Sequence, residues 1–217
     1  IHYAHLRLAE EALEALCLEK IRFIPAGMPA LKNAPEASPK ARSEMVQLAI
    51  HNNPRFELDD TEINAGLNAP INAEIKSNTP SFTVPTLQRL RGVFGTQKPL
   101  VLLVGADAFA QMESWFEWEK LLQLAHIGIA KRPGFSLKKE QLTPKLAALF
   151  GEHHTQNAAE ISAKAHGKII TFTHYEQDIS STRIRALYKE AKSPRYLLPE
   201  CVANYLYQHR FYQKEAP

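Results

Sequence analysis

Two histidines near the start of the chain are the first residues whose type and spacing suggest chemistry. His2 and His5 form an H-x-x-H pattern just before a stretch with helical periodicity. The amino terminus of a helix carries free N–H groups and a partial positive charge, so imidazoles placed there can contribute to a phosphate site. Two neighbouring histidines are more often plain surface residues or remnants of a purification tag. The pattern therefore needs a partner elsewhere in the chain before it indicates a phosphate ligand.

A partner pattern lies near the other end of the chain. Residues 179–185 read I-S-S-T-R-I-R, so three hydroxyl residues begin a predicted helix and two arginines follow them. Free N–H groups, hydroxyls and guanidinium groups at the start of a helix are suited to bind a triphosphate. Ordinary Ser or Thr capping of a surface helix explains the hydroxyl residues as well. The two patterns together are much more specific for a phosphate site than either one alone.

A third candidate position follows an apolar run. The segment Gly105-Ala106-Asp107 comes between a predicted strand and a predicted helix. In open α/β sheets, ligands bind at the carboxyl ends of the strands, which is where this segment would lie. A simple helix cap is the competing interpretation of Asp107.

These residues are carried by helices and strands that alternate along the chain. Hydrophobic periodicity predicts helices at 6–19, 39–51, 84–94, 118–125 and 181–190, and strands at 21–24, 55–59, 100–104, 127–130 and 168–173. Alternation of this kind predicts a parallel sheet. We therefore expect one doubly wound, Rossmann-like α/β domain over residues 1–217. The Asn- and Pro-rich segment 63–76 interrupts it and is expected to be an exposed loop, either a family-specific insertion or a lid.

Composition favours a small cytoplasmic enzyme. The 217 residues are 45% hydrophobic, which is enough for a core that excludes water. A net charge of +3 with scattered Lys and Arg argues against a nucleic-acid partner. Cys17 and Cys201 form no C-x-x-C pair, and no apolar run approaches the roughly 20 residues that span a bilayer, so we expect no membrane partner. Four aromatic residues between 205 and 212 leave the oligomeric state open, although we expect them to pack within the chain.

The H-x-x-H and I-S-S-T-x-I-R patterns resemble the motifs of the adenylyltransferase branch of the nucleotidyltransferase superfamily, H-x-G-H and I-S-x-T-x-x-R. Within that branch, the middle of the chain is similar to the nicotinate-nucleotide adenylyltransferase family. The similar segments are P-A-G-M-P at 25–29, Lys32, Arg42, T-P-S-F-T at 79–83, G-A-D at 105–107, W-F at 115–116 and K-R-P at 131–133. The resemblance covers nearly the whole length of the chain.

The resemblance implies where ATP binds. His2 and His5 would contact the phosphates, and Gly105 and Asp107 would lie against the ribose. The adenylate and its phosphates would be held by Ile179, Ser180, Ser181, Thr182 and Arg185. His2, His5 and Arg185 would be the catalytic residues, because they would stabilise the negative charge that develops on the reacting phosphorus and on the leaving pyrophosphate. Mg²⁺ would arrive with ATP and bridge phosphate oxygens, without a metal site of the protein's own.

The resemblance also implies a site for nicotinate mononucleotide. The pyridine ring would stack on Trp115 beside Phe116, since an aromatic face suits a cationic ring, and the backbone near Thr83 would bind its carboxylate. Lys32 would meet a phosphate, and Arg132 would belong to the same substrate site. A structural Trp in the core and a solvated surface Lys are the competing interpretations. The implied reaction is direct attack of the substrate phosphate on the α-phosphorus of ATP, with loss of pyrophosphate.

The sequence departs from the family pattern at three places. The family's first strand and G-G-T-F-D-P-like loop normally precede the first histidine, so we expect the native polypeptide to extend before Ile1. Ala4 replaces the Gly of H-x-G-H and would crowd a bound phosphate, and Leu31 replaces a frequent His. Two alternatives stay open: a related adenylyl- or cytidylyltransferase, for example one acting on phosphopantetheine, and a nucleotide-binding protein that has lost catalysis.

Overall fold

The computed structural model of the protein describes residues 1–28, 36–64, 81–132, 142–175 and 177–213. The chain divides into two compact units. The first unit takes Ile1–Ala9, Glu19–Ser81 and Glu176–Pro217, and the second takes Glu10–Leu18 and Phe82–Tyr175. The prediction of a single domain over 1–217 stays a prediction.

Helices and short strands alternate over the described residues. The helices are α1 Tyr3–Ala15, α2 Pro39–Ile50, α3 Thr61–Asn64, α4 Thr83–Phe94, α5 Ala106–Ala110, α6 Leu121–Leu124, α7 Pro144–His153, α8 Ala159–Ala163, α9 Ser181–Lys189 and α10 Glu200–Gln208. The strands are β1 Ile21–Phe23, β2 Phe56–Leu58, β3 Val101–Gly105, β4 His126–Lys131, β5 His154–Thr155 and β6 Ile169–Thr173. Single turns of 3-10 helix lie at Met112–Ser114 and Trp118–Lys120.

The first unit contains a two-stranded parallel sheet. β1 pairs with β2 in a register that places Ile21 opposite Phe56 and Phe23 opposite Leu58. Helix α2 connects the two strands and begins after Ser38, whose hydroxyl accepts a hydrogen bond from the N–H of Ala41 at 3.2 Å. Such a cap satisfies one of the free N–H groups at the helix start, so the sequence fixes where α2 begins.

The core of the first unit joins distant parts of the sequence. Its buried members are Ala37, Ala41, Met45, Ile184, Leu198, Val202 and Leu206. These residues come from α2 and the segment just before it, from α9, and from α10 with the segment before it. Because α9 and α10 lie near the opposite end of the chain from α2, burial of this cluster holds the start of α9 in a defined place within the unit.

The second unit contains a four-stranded parallel sheet in the order β3-β4-β6-β5. Ile127, Ile129 and Ile169 are completely buried, as expected for strands that are covered on both faces. Gly128 lies so close to its neighbour that an added Cβ would come within 2.8 Å of the Leu103 side chain. Burial of β4 within the sheet therefore explains its apolar residues, and the close contact with Leu103 explains its glycine.

The alternating helices and parallel strands confirm the predicted α/β class, with differences at several boundaries. Helix α1 runs over Tyr3–Ala15 instead of 6–19, because Cys17 takes a left-handed backbone with φ 51°, which an α-helix cannot continue. The predicted helix at 118–125 is a 3-10 turn followed by the short α6, and Glu117 just before it is also left-handed at φ 52°. Helices α7, α8 and α10 were not predicted.

The structure describes only the first two residues of the segment 63–76, which is predicted to be a loop. The loop prediction for 63–76 is wrong at Ile63 and Asn64, which complete the turn of α3 and donate their N–H groups to the carbonyl of Asp60. Residues 65–76 lie outside the described part of the chain. No helix among the described residues has both the length and the apolar character needed to cross a bilayer.

Candidate functional site

His2 and His5 lie at the amino terminus of α1, as the sequence predicts. The carbonyl oxygen of His2 accepts hydrogen bonds from the N–H groups of His5 at 3.0 Å and of Leu6 at 3.3 Å, so His2 opens the first helical turn. The N–H of Tyr3 donates to the carbonyl of Leu197 at 3.2 Å, which ties this helix start to the segment before α10. The two imidazole centroids are 3.8 Å apart, and the rings are tilted by 31°.

The two imidazoles differ in exposure and in electrostatics. His2 is 5% exposed, whereas His5 is exposed. Burial lowers the pKa of His2 to about 3, and the neighbouring His5 contributes to this shift. His2 is therefore neutral near pH 7. Its Nδ1 is buried and has no hydrogen-bond partner among the described residues, an arrangement that usually costs stability unless a ligand or water completes it.

The second phosphate pattern forms the start of α9. The hydroxyl of Ser180 accepts a hydrogen bond from the N–H of Arg183 at 3.1 Å, and its carbonyl accepts one from Ile184 at 3.0 Å. Ser180 is therefore the cap residue of the helix. Ser181 is half-buried, and Thr182 is exposed in the first turn. The hydroxyls of this turn and the free N–H groups of the helix start are placed as an anion site requires.

The structure brings the two phosphate patterns together within the first unit. Ile1 packs against the apolar cluster that contains Ile184, and so does Leu197, whose carbonyl accepts the hydrogen bond from the N–H of Tyr3. Arg185 itself donates to the Thr182 hydroxyl at 3.3 Å. The first turn of α1 and the first turns of α9 are thus neighbours, although they come from opposite ends of the sequence.

The P-A-G-M segment at 25–28 is held in place by Arg42 and Ser81. Arg42 donates to the carbonyls of Ala26 at 2.5 Å and of Gly27 at 2.7 Å. The Ser81 hydroxyl accepts from the N–H of Gly27 at 3.0 Å, and an added Cβ on Gly27 would collide with the Glu62 carbonyl. Arg42 and Ser81, which the family resemblance singles out, therefore fix the shape of this segment.

In the second unit, Gly105 ends β3 and is the cap residue of α5. Gly105 is exposed, and an added Cβ would meet no atom of the described residues within 4 Å. Asp107 is exposed in the first turn of α5. The carboxyl end of β3 is thus open at the position where the sequence predicts the ribose.

The second unit also holds an exposed aromatic surface beside the start of α4. Phe82 precedes α4, and its ring centroid lies 4.8 Å from that of Phe116, which is 49% exposed. Thr83 is the first residue of α4. The cap residue Phe82 makes no side-chain hydrogen bond to the start of the helix. Trp115 is half-buried, whereas Trp118 is 8% exposed and is the tryptophan of the core. Phe116 and the Thr83 backbone therefore lie in one neighbourhood, and their contact with a pyridine ring stays a prediction.

Of the last two predicted substrate residues, the structure describes Arg132 but not Lys32. Arg132 is exposed just after the end of β4. Lys32 lies outside the described residues, together with Thr79, Pro80 and Pro133 of the quoted segments.

Similar proteins identify the family. The sequence profile described as cytidylyltransferase-like matches residues 1–187. A "probable nicotinate-nucleotide adenylyltransferase" of Dechloromonas aromatica is 40% identical over 213 residues, which cover 98% of this chain and 93% of that protein. A protein of the same name from Hydrogenovibrio crunogenus is 38% identical over 98% of this chain and 92% of its own length. The chain belongs to the nicotinate-nucleotide adenylyltransferase family. The resemblance predicted from the two phosphate patterns is confirmed.

Solved structures show that this member of the nicotinate-nucleotide adenylyltransferase family has the family's fold. Two chains of Plasmodium falciparum nicotinic acid mononucleotide adenylyltransferase, one complexed with NaAD and one with APC, match with TM-scores of 0.68 and 0.65. Each match covers 98% of this chain and 91% of the other at 15% identity. The doubly wound, Rossmann-like prediction is confirmed. The relatives and the sequence profile confirm the assignment to the nucleotidyltransferases. The roles of individual site residues stay predictions.

Sequence reasoning missed the residues that surround Arg185. Tyr212 contacts the Arg185 guanidinium, and its ring packs with Phe211 against the core of the first unit. The aromatic residues near the carboxyl end were predicted to pack within the chain. Tyr205, Phe211 and Tyr212 do so, whereas Tyr207 is 72% exposed. No sequence signal pairs Tyr212 with Arg185, because the contact depends on how α10 folds back on α9.

Proposed function

We propose that this protein transfers the adenylyl group of ATP to nicotinate mononucleotide, which gives nicotinate adenine dinucleotide and pyrophosphate for NAD biosynthesis in the cytoplasm. The observation that carries the proposal is the meeting of the H-x-x-H turn and the I-S-S-T-x-I-R turn around one core. This arrangement occurs in a chain that is 40% identical to a probable nicotinate-nucleotide adenylyltransferase.

The first unit would bind the phosphates of ATP. Ile179 to Thr182 would hold the adenylate through the start of α9. The unpaired Nδ1 of His2 suits a phosphate oxygen, and the exposed His5 ring lies 3.8 Å away. Arg185 would supply the full positive charge, because His2 is neutral at physiological pH. These groups would stabilise the charge that develops on the phosphorus and on the leaving pyrophosphate.

The reaction needs no covalent enzyme intermediate. The phosphate of nicotinate mononucleotide is already ionised, so it attacks the α-phosphorus without a general base. We propose that Mg²⁺ enters with ATP, since this ion keeps several waters and prefers phosphate oxygens. Bound there, it would neutralise charge on the triphosphate. No group of three His, Cys, Asp or Glu side chains able to hold a metal is found in the described part of the chain.

The second unit would contribute to nucleoside and pyridine binding. Gly105 and Asp107 would lie against the ribose, because the open end of β3 leaves room for a ligand there. Trp115 and the exposed Phe116 would stack on the pyridine ring, and the free N–H groups at Thr83 would bind its carboxylate. Lys32 and Arg132 would complete the contacts to the substrate phosphate.

The test is pyrophosphate release by the purified full-length protein with ATP and Mg²⁺. Nicotinate mononucleotide, nicotinamide mononucleotide and phosphopantetheine are compared as acceptors. We expect the highest kcat/KM with nicotinate mononucleotide, since a carboxylate suits the start of α4. A higher kcat/KM with the amide would overturn the acid preference. Turnover with phosphopantetheine alone would assign the protein to the phosphopantetheine reaction. No turnover with any of the three acceptors would support the alternative of a nucleotide-binding protein that has lost catalysis.

A further inference from the structure

A buried pair of ionisable side chains in the second unit takes no part in the proposed reaction. Glu11 of α1 is 6% exposed, and His174, the residue after the end of β6, is 7% exposed. The Oε2 atom of Glu11 lies 2.5 Å from Nδ1 of His174 and accepts a hydrogen bond from the N–H of Tyr175 at 3.1 Å. Because a carboxylate has no proton to donate, Nδ1 is the donor in the first contact. One carboxylate oxygen thus holds both the His174 ring and the backbone that follows it.

The pair lies at the carboxyl edge of the four-stranded sheet. Gly105 at the end of β3 pairs with Ala130 of β4. Lys131 at the end of β4 pairs with Thr173 at the end of β6, and the N–H of His174 then donates to the Lys131 carbonyl at 2.8 Å. The carboxyl ends of these three neighbouring strands are therefore level, and β6 is two strands, or about 10 Å, from β3. This is the edge where ligands bind in open α/β sheets.

A buried pair of this kind supplies fixed geometry more than stability. Taking a carboxylate and its partner out of water costs free energy that their attraction only partly returns, so apolar side chains of similar size often stabilise a core equally well. A short, charge-assisted hydrogen bond instead restricts both groups to one arrangement. Here the restricted element is the start of the stretch that leads from β6 to Ser180, the cap residue of α9.

We propose that Glu11 and His174 are positioning residues for the nucleoside part of ATP: the carboxylate fixes the His174 ring and the Tyr175 backbone at the sheet edge where the ribose would bind beside Gly105. The inference rests on the proposed function, because it takes ATP as the nucleotide at this edge. Neither side chain touches a reacting atom. Both act through the shape of the backbone that follows β6, so the affinity for ATP depends on them.

The first test removes the charge of the carboxylate and keeps its size. We expect Glu11→Gln to raise the Kd for ATP by about fivefold, measured by titration calorimetry, because a neutral hydrogen bond replaces a stronger, charge-assisted one. KM for nicotinate mononucleotide should not change. Glu14→Gln is the matched control, since Glu14 is exposed on the same helix. The control should keep the wild-type Kd.

The second test separates positioning from a purely structural role. A structural pair would give Glu11→Gln a lower melting temperature but a wild-type Kd for ATP, measured well below that temperature, and this result would overturn the inference. Glu11→Gln and His174→Gln together should raise the Kd no more than the larger single effect, because both break one contact. Additive losses would show that the two residues act independently, against the inference. Either single variant carries the test if the other does not fold.

The proposed function can fail separately from this inference. A wild-type protein that binds ATP but does not use nicotinate mononucleotide would contradict the proposed function alone, provided Glu11→Gln still weakens ATP binding. A wild-type protein that does not bind ATP would contradict both.

Discussion

At the scale of single residues, His2 and His5 have the same chemistry but different surroundings. His5 is exposed at the start of α1, so its ring is accessible to a ligand and contributes little to the core. We expect His5→Ala to lower kcat by about 100-fold, comparable to the loss of one donor that stabilises a transition state. The melting temperature should change by less than about 2 °C, as for other surface substitutions.

The matched control for His5 is His51→Ala. His51 is also exposed and lies in the same unit, at the end of α2, where its Nδ1 contacts the Leu48 carbonyl at 2.8 Å. Its removal should leave kcat unchanged. A large drop in melting temperature with normal turnover in His5→Ala would show that His5 is structural and would remove it from the proposed mechanism.

His2 makes the stability of the fold depend on pH. The pKa of about 3 in the folded protein lies below the ordinary value of 6.5, so the unfolded chain takes up this proton first as the pH falls. The contribution of His2 is fully present above about pH 6.5 and decreases between pH 6.5 and 3, by at most about 1.4 kcal/mol for each pH unit.

The pH dependence can be separated from that of other groups by comparing two proteins. Urea unfolding of the wild type and of His2→Gln, measured from pH 7.5 to 5, should show a steeper loss of stability in the wild type, because Gln does not titrate. Parallel curves for the two proteins would mean that His2 is protonated equally in the folded and unfolded states.

The sequence indicated part of the site at residue scale and missed the rest for a physical reason. His2, His5 and Arg185 could be selected because their types and spacing match phosphate chemistry within short segments. Neither the burial that neutralises His2 nor the contact between Arg185 and Tyr212 is encoded locally. Both depend on packing between segments that are far apart in the chain.

At the scale of secondary-structure elements, Arg91 joins the end of α4 to the segments around it. Its guanidinium donates to the carbonyls of Leu124 at 2.7 Å, Lys98 at 2.6 Å and Ala165 at 2.7 Å, and also reaches Gly95. We expect Arg91→Met to lower the free energy of unfolding by about 2–4 kcal/mol, because it leaves several partly buried carbonyls without their donor.

The Arg91 prediction is checked by urea unfolding with Gln88→Met as the control. Gln88 is exposed on the same helix, so its replacement should change the free energy of unfolding by no more than about 0.5 kcal/mol. Equal effects of the two substitutions would mean that water replaces Arg91 as the hydrogen-bond donor to these carbonyls without loss of stability.

The sequence predicted central strands better than short helices and boundaries. The apolar runs of β3 and β4 were identified because strands covered on both faces must be apolar throughout. Helix α5 has five residues, too few to show a helical period, and the end of α1 depends on the left-handed backbone of Cys17. Such a backbone is usually signalled by glycine, and here the sequence gives no such signal.

At the scale of the whole molecule, each of the two compact units carries a different part of the candidate site. The first unit gathers the H-x-x-H turn and the start of α9 around one apolar cluster. The second unit carries the open end of β3 and the aromatic surface beside α4. Sequence patterns identified each feature separately. The long-range burial that gathers the residues of both patterns in the first unit became visible only in the structure.

A reaction product that binds the folded protein should stabilise it as a whole. At about 100 times its Kd, a ligand adds about 2.7 kcal/mol, which for a chain of this size raises the melting temperature by about 5–10 °C. We expect nicotinate adenine dinucleotide to cause such a shift, and dephospho-coenzyme A, the product of the phosphopantetheine reaction, to cause little at the same concentration. Thermal unfolding of wild type and His5→Ala measures both, with a smaller shift in the variant because one phosphate contact is lost. A larger shift with dephospho-coenzyme A would assign the chain to that sister reaction, and equal shifts would show that only the shared adenylate is recognised.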